Sequence, residues 1–342
     1  MQRRIITPGN LHDENGHLTQ TGYATSLVLQ YDRARVKAHP LRLKEWDYYY
    51  IGNDNYGLAL TVADNGYMSM DSISFLDFGK NSQGTYSRMN ILPKRRNLPL
   101  TSAQGDIHAQ GKDYEIHFLN DGKKRQLYGH MENFGKGRSI LFDLTLTDTP
   151  RDSMVIVTPF RDKPKAFYYN QKINCLRAEG KVVLGEEEYL FSPATAFGVL
   201  DWGRGVWTYD NTWYWGSASG IAEGHRFGFN IGYGFGDTSA ASENMLFVDG
   251  VAHKLSRVAF NIPMKDGKED YLSPWTFTSD DGRFEMDFAP MMDRAACIDL
   301  KLLISDQHQV FGRFSGRATL DDGRVIQVWE LTGFAEKVHN KW

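Results

Sequence analysis

Cysteine is scarce in this sequence. Among 342 residues there are two, Cys175 and Cys297, and they have neither the paired spacing of a zinc site nor the density of a disulfide framework. Isolated cysteines of this kind usually behave as small apolar residues. We therefore expect two buried free thiols in a protein of a reducing compartment.

Long apolar runs are lacking too. The opening residues Met1-Gln-Arg-Arg-Ile-Ile-Thr-Pro-Gly lead directly into polar sequence, without an apolar stretch of signal-peptide length. No other stretch reaches the roughly 20 apolar residues that a membrane-spanning helix requires. The sequence predicts a cytoplasmic protein with no integral membrane segment.

Neither sign of charge is in large excess. The chain has 39 Lys and Arg residues against 42 Asp and Glu residues, which gives a formal net charge of −3. These charges are scattered along the chain, whereas proteins that bind nucleic acids concentrate positive charge against the phosphates. We expect no nucleic acid partner.

Helical periodicity is rare, and strand-like alternation takes its place. Apolar and polar residues alternate in segments such as Leu58-Ala-Leu-Thr-Val and Arg324-Val-Ile-Gln-Val-Trp, which indicates half-buried strands. Asn-Gly and Asp-Gly pairs, typical of tight hairpin turns, separate such segments. They begin at Asn15, Asn65, Asp121, Asp249, Asp266, Asp281 and Asp322. The pattern predicts an all-β sandwich or barrel.

The length of the chain suggests about two core-forming units. Trp46-Asp-Tyr-Tyr-Tyr-Ile-Gly and the alternating segment after it resemble Trp213-Tyr-Trp-Gly-Ser-Ala-Ser-Gly and the alternating segment that follows. This weak repeat favours two similar β units, over residues 1–195 and 196–342. Chance similarity between amphipathic strands is the alternative interpretation.

No cofactor or metal site is indicated. His108, His117 and His130 are the nearest approach to a histidine cluster, but the sequence places no cysteine or carboxylate neighbours of a metal site beside them. The segment Gly232-Tyr-Gly-Phe-Gly lacks the final glycine spacing and the following helix of a nucleotide-binding loop. We expect neither a bound cofactor nor a metal ion.

The segment from Asp201 to Trp215 is the most unusual part of the sequence, because it holds four of the eight tryptophans. In a strand, Trp213 and Trp215 share one face. One interpretation is a plain core, with an ion pair between Asp201 and Arg204. The other is a ligand cavity with tryptophan walls, in which a carboxyl group held against apolar rings has a raised pKa and acts as a proton donor.

Short motifs along nearly the whole chain together resemble a bacterial family, the domain of unknown function numbered 2804. They are Ile6-Thr-Pro, Asn15-Gly-His-Leu-Thr-Gln-Thr-Gly-Tyr, Lys44-Glu-Trp-Asp-Tyr-Tyr-Tyr-Ile, Asp201-Trp-Gly-Arg-Gly-Val-Trp, Trp213-Tyr-Trp-Gly-Ser-Ala-Ser-Gly, Phe229-Asn-Ile-Gly, Ser242-Glu-Asn, Ser273-Pro-Trp, Phe311-Gly-Arg-Phe-Ser-Gly and Gly333-Phe-Ala-Glu-Lys. By more distant similarity the chain resembles lipocalin-like proteins that include hydroxyneurosporene synthase, a carotenoid hydratase. This resemblance implies two tandem lipocalin-like antiparallel β-barrel units and transfers no catalytic residue.

Two functions remain open from the sequence. The leading hypothesis is that a barrel pocket binds a hydrophobic small molecule, either a lipid or an isoprenoid-like compound. The alternative is an acid-catalysed hydratase or cyclase that acts on an isoprenoid-like alkene. A scaffold with filled barrels is a third, plainer possibility. The candidate acids are Asp201, Asp210 and Glu243, and the candidate ligand contacts are Arg204, Trp207, Trp213, Trp215, Asn230 and Trp275.

Overall fold

The computed structural model describes residues 2–92, 96–299 and 304–341. These residues form strands and two short 3-10 helices, Arg33–Arg35 and Pro40–Arg42, and include no α-helix. No helix among them is long and apolar enough to cross a membrane. The all-β prediction is confirmed.

The strands of the first half are mostly antiparallel. They are β1 (Gly9–Asn10), β2 (Gly22–Ala24), β3 (Leu29–Gln30), β4 (Leu43–Gly52), β5 (Tyr56–Asp64), β6 (Met68–Asp77), β7 (Ser82–Ile91), β8 (Ile107–Gln110), β9 (Tyr114–Asn120), β10 (Arg125–Met131), β11 (Ile140–Thr147), β12 (Met154–Pro159), β13 (Phe167–Leu184), β14 (Glu187–Phe191) and β15 (Phe197–Val206). Thirteen of them, within the described ranges, form one sheet along the path β7-β6-β5-β4-β15-β13-β11-β10-β9-β8, with β12, β14 and β2 paired beside it.

The second half repeats this plan. Its strands are β16 (Asp210–Ala222), β17 (His225–Tyr233), β18 (Met245–Val248), β19 (Val251–Lys254), β20 (Val258–Asn261), β21 (Met264–Lys265), β22 (Lys268–Glu269), β23 (Trp275–Ser279), β24 (Phe284–Asp299), β25 (Ile304–Thr319) and β26 (Val325–Lys341). Nine of these, counted over the described residues, form a second sheet in the order β19-β18-β17-β16-β26-β25-β24-β23-β20. Both sheets curl into lipocalin-like half-barrels.

The two sheets share a connectivity. The first long strand of each, β4 or β16, pairs on one side with its hairpin partner and on the other with the last long strand of the same sheet, β15 or β26. The repeat segments that start at Trp46 and Trp213 therefore occupy corresponding places. The sheet changes between Val206 and Asp210, and β15, which begins just after residue 195, still pairs in the first sheet. The division at residues 195 and 196 stays a prediction.

The predicted turn residues lie where strands reverse direction. Asn65 and Gly66 connect β5 to β6, and Asp249 and Gly250 connect β18 to β19. Gly66 has a φ of +82° and Gly250 of +83°, which a glycine adopts without a steric penalty. The sequence-encoded turns thus set the register of these hairpins.

A bulge in β13, between Ile173 and Leu176, joins the first sheet to the second. Asn174 is fully buried, and its Nδ2 donates to Ser217 Oγ at 2.8 Å and to the Phe229 carbonyl at 3.0 Å. Cys175 at the same bulge is buried, as expected. The expectation is wrong for Cys297, which is exposed because it lies near the end of the long β24–β25 hairpin.

The apolar core has three parts. One lies mainly within the first half-barrel but also includes Phe235, Ala241, Met245 and Phe247 of the second half, and one lies within the second half-barrel. The third is a small cluster between the sheets, which includes Tyr50, Leu76, Met292, Phe311 and Phe334. This last cluster holds the two sheets against each other and leaves space beside it for a cavity.

Candidate active site

A cavity of about 700 Å³ lies between the two half-barrel sheets. Its lining comes from β4–β7, β13 and β15 on one side and from β16, β24, β25 and β26 on the other, with the segment after β17 closing one end. This volume is of the size that holds a small organic ligand. The site is therefore built where the two halves meet.

The first wall carries a row of polar side chains across neighbouring strands, here called the first-sheet row. In register order it consists of Lys172, Asp201, Tyr48, Thr61, Ser72 and Ser87. Directly paired residues project from the same face of a sheet, so the whole row faces the cavity. Lys172 and Asp201 are both buried, and Lys172 Nζ lies 2.9 Å from Asp201 Oδ1. The charges of this row are thus neutralised within the row.

The second wall carries a corresponding row, here called the second-sheet row. In register order it consists of Gly232, Trp215, Glu336, Gln309 and Arg294. Gln309 separates the carboxyl group of Glu336 from the guanidinium of Arg294, and each of these residues lies on a different strand. The charges of this row are held apart.

The two rows contact each other across the cavity. Lys172 Nζ lies 4.0 Å from the centroid of the Trp215 ring, a cation–π contact. Tyr48 packs edge-on against Trp215, and its hydroxyl lies 3.5 Å from Gln309 Oε1. Because Lys172 lies over one face of Trp215, that face contacts the lysine and is closed to a ligand.

Glu336 is a buried acid that lines the cavity. Only 6% of the residue is exposed, and burial raises the pKa of its carboxyl group to about 7. Trp213 Nε1 donates to Oε1 at 3.0 Å and Gln309 Nε2 donates to Oε2 at 3.0 Å. These hydrogen bonds fix the orientation of the carboxyl group.

Glu243 supplies a second buried carboxyl group from the segment between β17 and β18. Burial raises its pKa, and the charge of nearby Lys172 opposes this shift. A Cβ at position 232 would lie 3.1 Å from the Glu243 Cδ, so Gly232 makes room for this side chain. Asn230 lies outside the cavity lining and connects Glu243 to Trp215. Its Nδ2 donates to the Glu243 backbone carbonyl, and its Oδ1 accepts from Trp215 Nε1.

Aromatic rings form the end of the cavity next to these acids. Trp207 and Trp213 meet edge-on with centroids 5.6 Å apart, and Phe235 packs against both. Trp46 lies directly over Gly203, where a Cβ would collide with the indole. The glycine in Asp201-Trp-Gly-Arg-Gly thus lets the ring lie flat on the strand.

The structure brings together five of the residues proposed from the sequence. Asp201, Glu243, Trp207, Trp213 and Trp215 all line the cavity. Trp213 and Trp215 share the inward face of β16, while Tyr214 packs on Tyr233 in the second core. Asn230 lies behind this wall.

Three other candidates lie elsewhere. Arg204 is buried, pairs with Asp47 at 3.1 Å and stacks on Trp202, so the sequence-based ion pair between Arg204 and Asp201 does not form. Trp275 is buried in the second core and donates to the Tyr271 carbonyl. Asp210 is at the surface, where it pairs with His339 at 2.9 Å and Lys341 at 3.1 Å.

Three charged residues of the cavity were missed from the sequence: Lys172, Arg294 and Glu336. Glu336 could have been proposed from the sequence, because it belongs to the motif Gly333-Phe-Ala-Glu-Lys that supports the family resemblance. Lys172 and Arg294 stand in strands with no motif around them. Only their register with Asp201 and Gln309 reveals them.

The histidines outside the cavity include one pair in contact. His108 Nδ1 and His117 Nδ1 lie 2.7 Å apart, and Glu115 contacts His117 and His130. The expectation that no carboxylate stands beside these histidines is therefore wrong, because the register of β9 and β10 brings Glu115 next to His130. No group of three or more potential metal ligands exists among the residues that the structure describes.

Solved structures with a similar fold include kievitone hydratase from Nectria haematococca. It is 12% identical, the alignment covers 97% of this chain and 99% of that one, and the TM-score is 0.52. CghA, solved with Sch210972, is 10% identical with a TM-score of 0.48, and 97% of each chain is covered. No curated protein sequence matches the chain significantly.

The likeness to kievitone hydratase shows the class of fold, a lipocalin-like pair of half-barrels. Within that class, the chain belongs to the family described as Domain of unknown function (DUF2804), which matches residues 2–342. The family resemblance read from the short motifs is confirmed.

Proposed function

We propose that this protein is an enzyme that adds water to a carbon–carbon double bond of a largely apolar small molecule bound in the cavity. One observation carries the proposal: Glu336, a buried carboxyl group with a pKa of about 7, lines an aromatic cavity together with Glu243. A general acid works best when its pKa lies near the working pH. A carboxylate with a purely structural role does not need a pKa near the working pH.

The chemistry follows from these two carboxyl groups. Neutral Glu336 transfers its proton to one carbon of the double bond, and positive charge develops on the other. Water then forms the new C–O bond, and its proton passes to the Glu243 carboxylate. The π bond is broken, one C–H and one C–O bond are formed, and solvent returns the proton from Glu243 to Glu336.

The aromatic end of the cavity suits such an intermediate. The π face of Trp213 attracts positive charge, and the rings of Trp207 and Trp213 hold an apolar substrate. Trp215 has a different task, because its face contacts Lys172. The positive charge of Lys172 favours the ionised form of Glu243, which the second step requires.

Simple binding of a hydrophobic molecule, the leading hypothesis from the sequence, is contained in this proposal. A carrier needs the aromatic wall but not the buried acids, and burying a carboxyl group costs free energy unless it is compensated. Kievitone hydratase, a hydratase by name, has a similar fold, and we take this as fold-level support only.

Incubation with alkenes in ¹⁸O-labelled water tests the proposal. Geranylgeraniol and oleic acid are suitable first probes, and mass spectrometry detects a product that has gained one labelled water. We expect Glu336→Gln to lower turnover by about 10²- to 10⁴-fold, because the proton donor is lost. Glu330→Gln is the matched control, since Glu330 lies on the same strand but is exposed.

Two results would contradict the proposal in different ways. Full turnover by Glu336→Gln would exclude Glu336 as the acid. Tight binding of alkenes in the cavity, detected by quenching of tryptophan fluorescence, without any turnover would leave a ligand carrier and exclude a hydratase.

A further inference from the structure

Arg294 stands at the opposite end of the second-sheet row from Gly232. It lies on β24 and faces the cavity, and the row places Gln309 between it and Glu336. Strands in a sheet are spaced about 4.8 Å apart, so the backbones of β24 and β26, which carry Arg294 and Glu336, are separated by about 10 Å. Arg294 is therefore a cation of the cavity that stands on a different strand from the acid Glu336.

The side chains that contact Arg294, or line the cavity beside it on β6 and β7, are polar but uncharged. Its Nη1 donates to Ser74 Oγ at 2.7 Å, across the gap between the sheets. Neutral side chains of β6 and β7 line this end of the cavity, among them Ser72, Gln83, Thr85 and Ser87. These side chains can form hydrogen bonds, but they carry no charge that would neutralise the guanidinium of Arg294.

No described carboxylate lies within ion-pair distance of Arg294. The neighbouring Asp293 points to the other face of β24, where it pairs with His308 at 2.6 Å. Glu336 is two strands away. The charge of Arg294 lowers its pKa, but the Glu336 oxygens accept from Trp213 and Gln309, and no ion pair links the described atoms of Glu336 and Arg294. This differs from Lys172, whose charge is compensated by Asp201.

A guanidinium presents five N–H donors in a planar fork that matches the two oxygens of a carboxylate. One donor group of Arg294 is used by Ser74, which leaves the rest of the fork for an acceptor in the cavity. A partly buried cation without a carboxylate partner is unfavourable, and an anionic ligand group removes this cost.

We propose that Arg294 binds an anionic oxygen group of the substrate, of which a carboxylate fits best. The substrate is then an unsaturated organic acid, with its acid group and the double bond that Glu336 protonates at different places along the second-sheet row. This assignment deepens the proposed function and rests on it for the position of the double bond. The anchoring itself is tested by binding alone.

The experiment compares matched ligands that differ only in charge. Oleic acid and retinoic acid are titrated against their methyl esters, with quenching of tryptophan fluorescence as the signal, in the wild type, Arg294→Gln, Arg294→Lys and Arg317→Gln. Arg317 lies on β25 and is exposed, which makes it the control for loss of one positive charge. Thermal melting of each variant checks that it is folded.

We expect the wild type to bind at least one acid about 10- to 100-fold more tightly than its ester, as a hydrogen-bonded charge pair would give. Arg294→Gln should remove this preference by weakening the acid and leaving the ester unchanged. Arg294→Lys should keep part of it, and Arg317→Gln should keep all of it.

Three outcomes would overturn the assignment. The first is equal binding of acid and ester by the wild type, and the second is an unchanged preference for the acid in Arg294→Gln. The third is equal weakening of acid and ester binding in Arg294→Gln, which would indicate that Arg294 only joins the two sheets through Ser74. Each of them leaves the Glu336 test untouched. Conversely, if no alkene is hydrated but the wild type still binds acids more tightly than esters, the protein is a carrier of organic acids.

Discussion

The two walls of the cavity contain similar residues in different electrostatic arrangements. In the first-sheet row, Lys172 and Asp201 are adjacent and form a buried ion pair. In the second-sheet row, Glu336 and Arg294 are separated by the uncharged Gln309. Opposite charges that are paired stabilise a wall, whereas charges kept apart remain able to exchange a proton or bind a ligand.

The two walls differ in how their buried charged groups are compensated. Glu336 has hydrogen-bond donors beside it but forms no ion pair with any described residue, and burial raises its pKa to about 7 although the charges of Arg294 and Lys172 oppose the shift. The ion pair of the first wall, in contrast, offers Lys172 a compensating charge and an aromatic face. We therefore expect the first wall to govern stability and the second wall to govern chemistry.

The largest effect on stability should come from breaking the ion pair of the first wall. Lys172→Met leaves Asp201 buried without its cation, and we expect a loss of about 3–5 kcal/mol in the free energy of unfolding. Urea denaturation measures this loss. Arg294→Met on the second wall should cost clearly less, because no described carboxylate is left unpaired.

The double variant Lys172→Met, Asp201→Leu provides the internal control. Removing both charges takes away the uncompensated carboxylate, so this variant should recover part of the stability lost in Lys172→Met. If Arg294→Met were as destabilising as Lys172→Met, the contrast between the two walls would be wrong.

A smaller, pH-dependent effect is expected on the second wall. The folded-state pKa of Glu336 is about 7 against an ordinary value of 4.5. Between these values the folded chain holds a proton that the unfolded chain has released, so the stability contributed by this group falls as the pH rises through that window. Glu336→Gln removes this loss.

Melting temperatures at pH 5 and pH 8 test this prediction. The variant should gain relative to the wild type at pH 8 compared with pH 5, and Glu330→Gln should show no such difference. An identical offset of Glu336→Gln at the two pH values would mean that the carboxyl group of Glu336 has an ordinary pKa.

The smallest effect is expected outside both rows, at Asp210. Its carboxylate pairs with His339 and Lys341 at the surface, and exposed ion pairs contribute little to stability. Asp210→Asn should leave turnover and ligand binding at the wild-type level and hardly change the melting temperature. A strong loss of turnover would restore Asp210 as a catalytic candidate and would show that the cavity is not the only place where chemistry occurs.

Part of the site was predictable from local pattern. The alternation in β16 places Trp213 and Trp215 on one face, and the aromatic density from Asp201 to Trp215 indicates a cavity wall. Glu243 was also found from the sequence, although local pattern does not show that Gly232 makes room for it. The direction of Arg204 was not predictable, because Asp47 and Asp201 are equally plausible partners until the strands are paired.

The sequence by itself determined the strands, the turns and the family, since alternation, Asn-Gly and Asp-Gly pairs and ordered motifs are local properties of the chain. Only the tertiary structure decided which charges share the cavity. Lys172 meets Asp201 through the register of β13 and β15, and Glu336 stands between Trp215 and Gln309 through the register of β16, β26 and β25. Register depends on contacts between distant segments, and it is register that turns separate residues into a site.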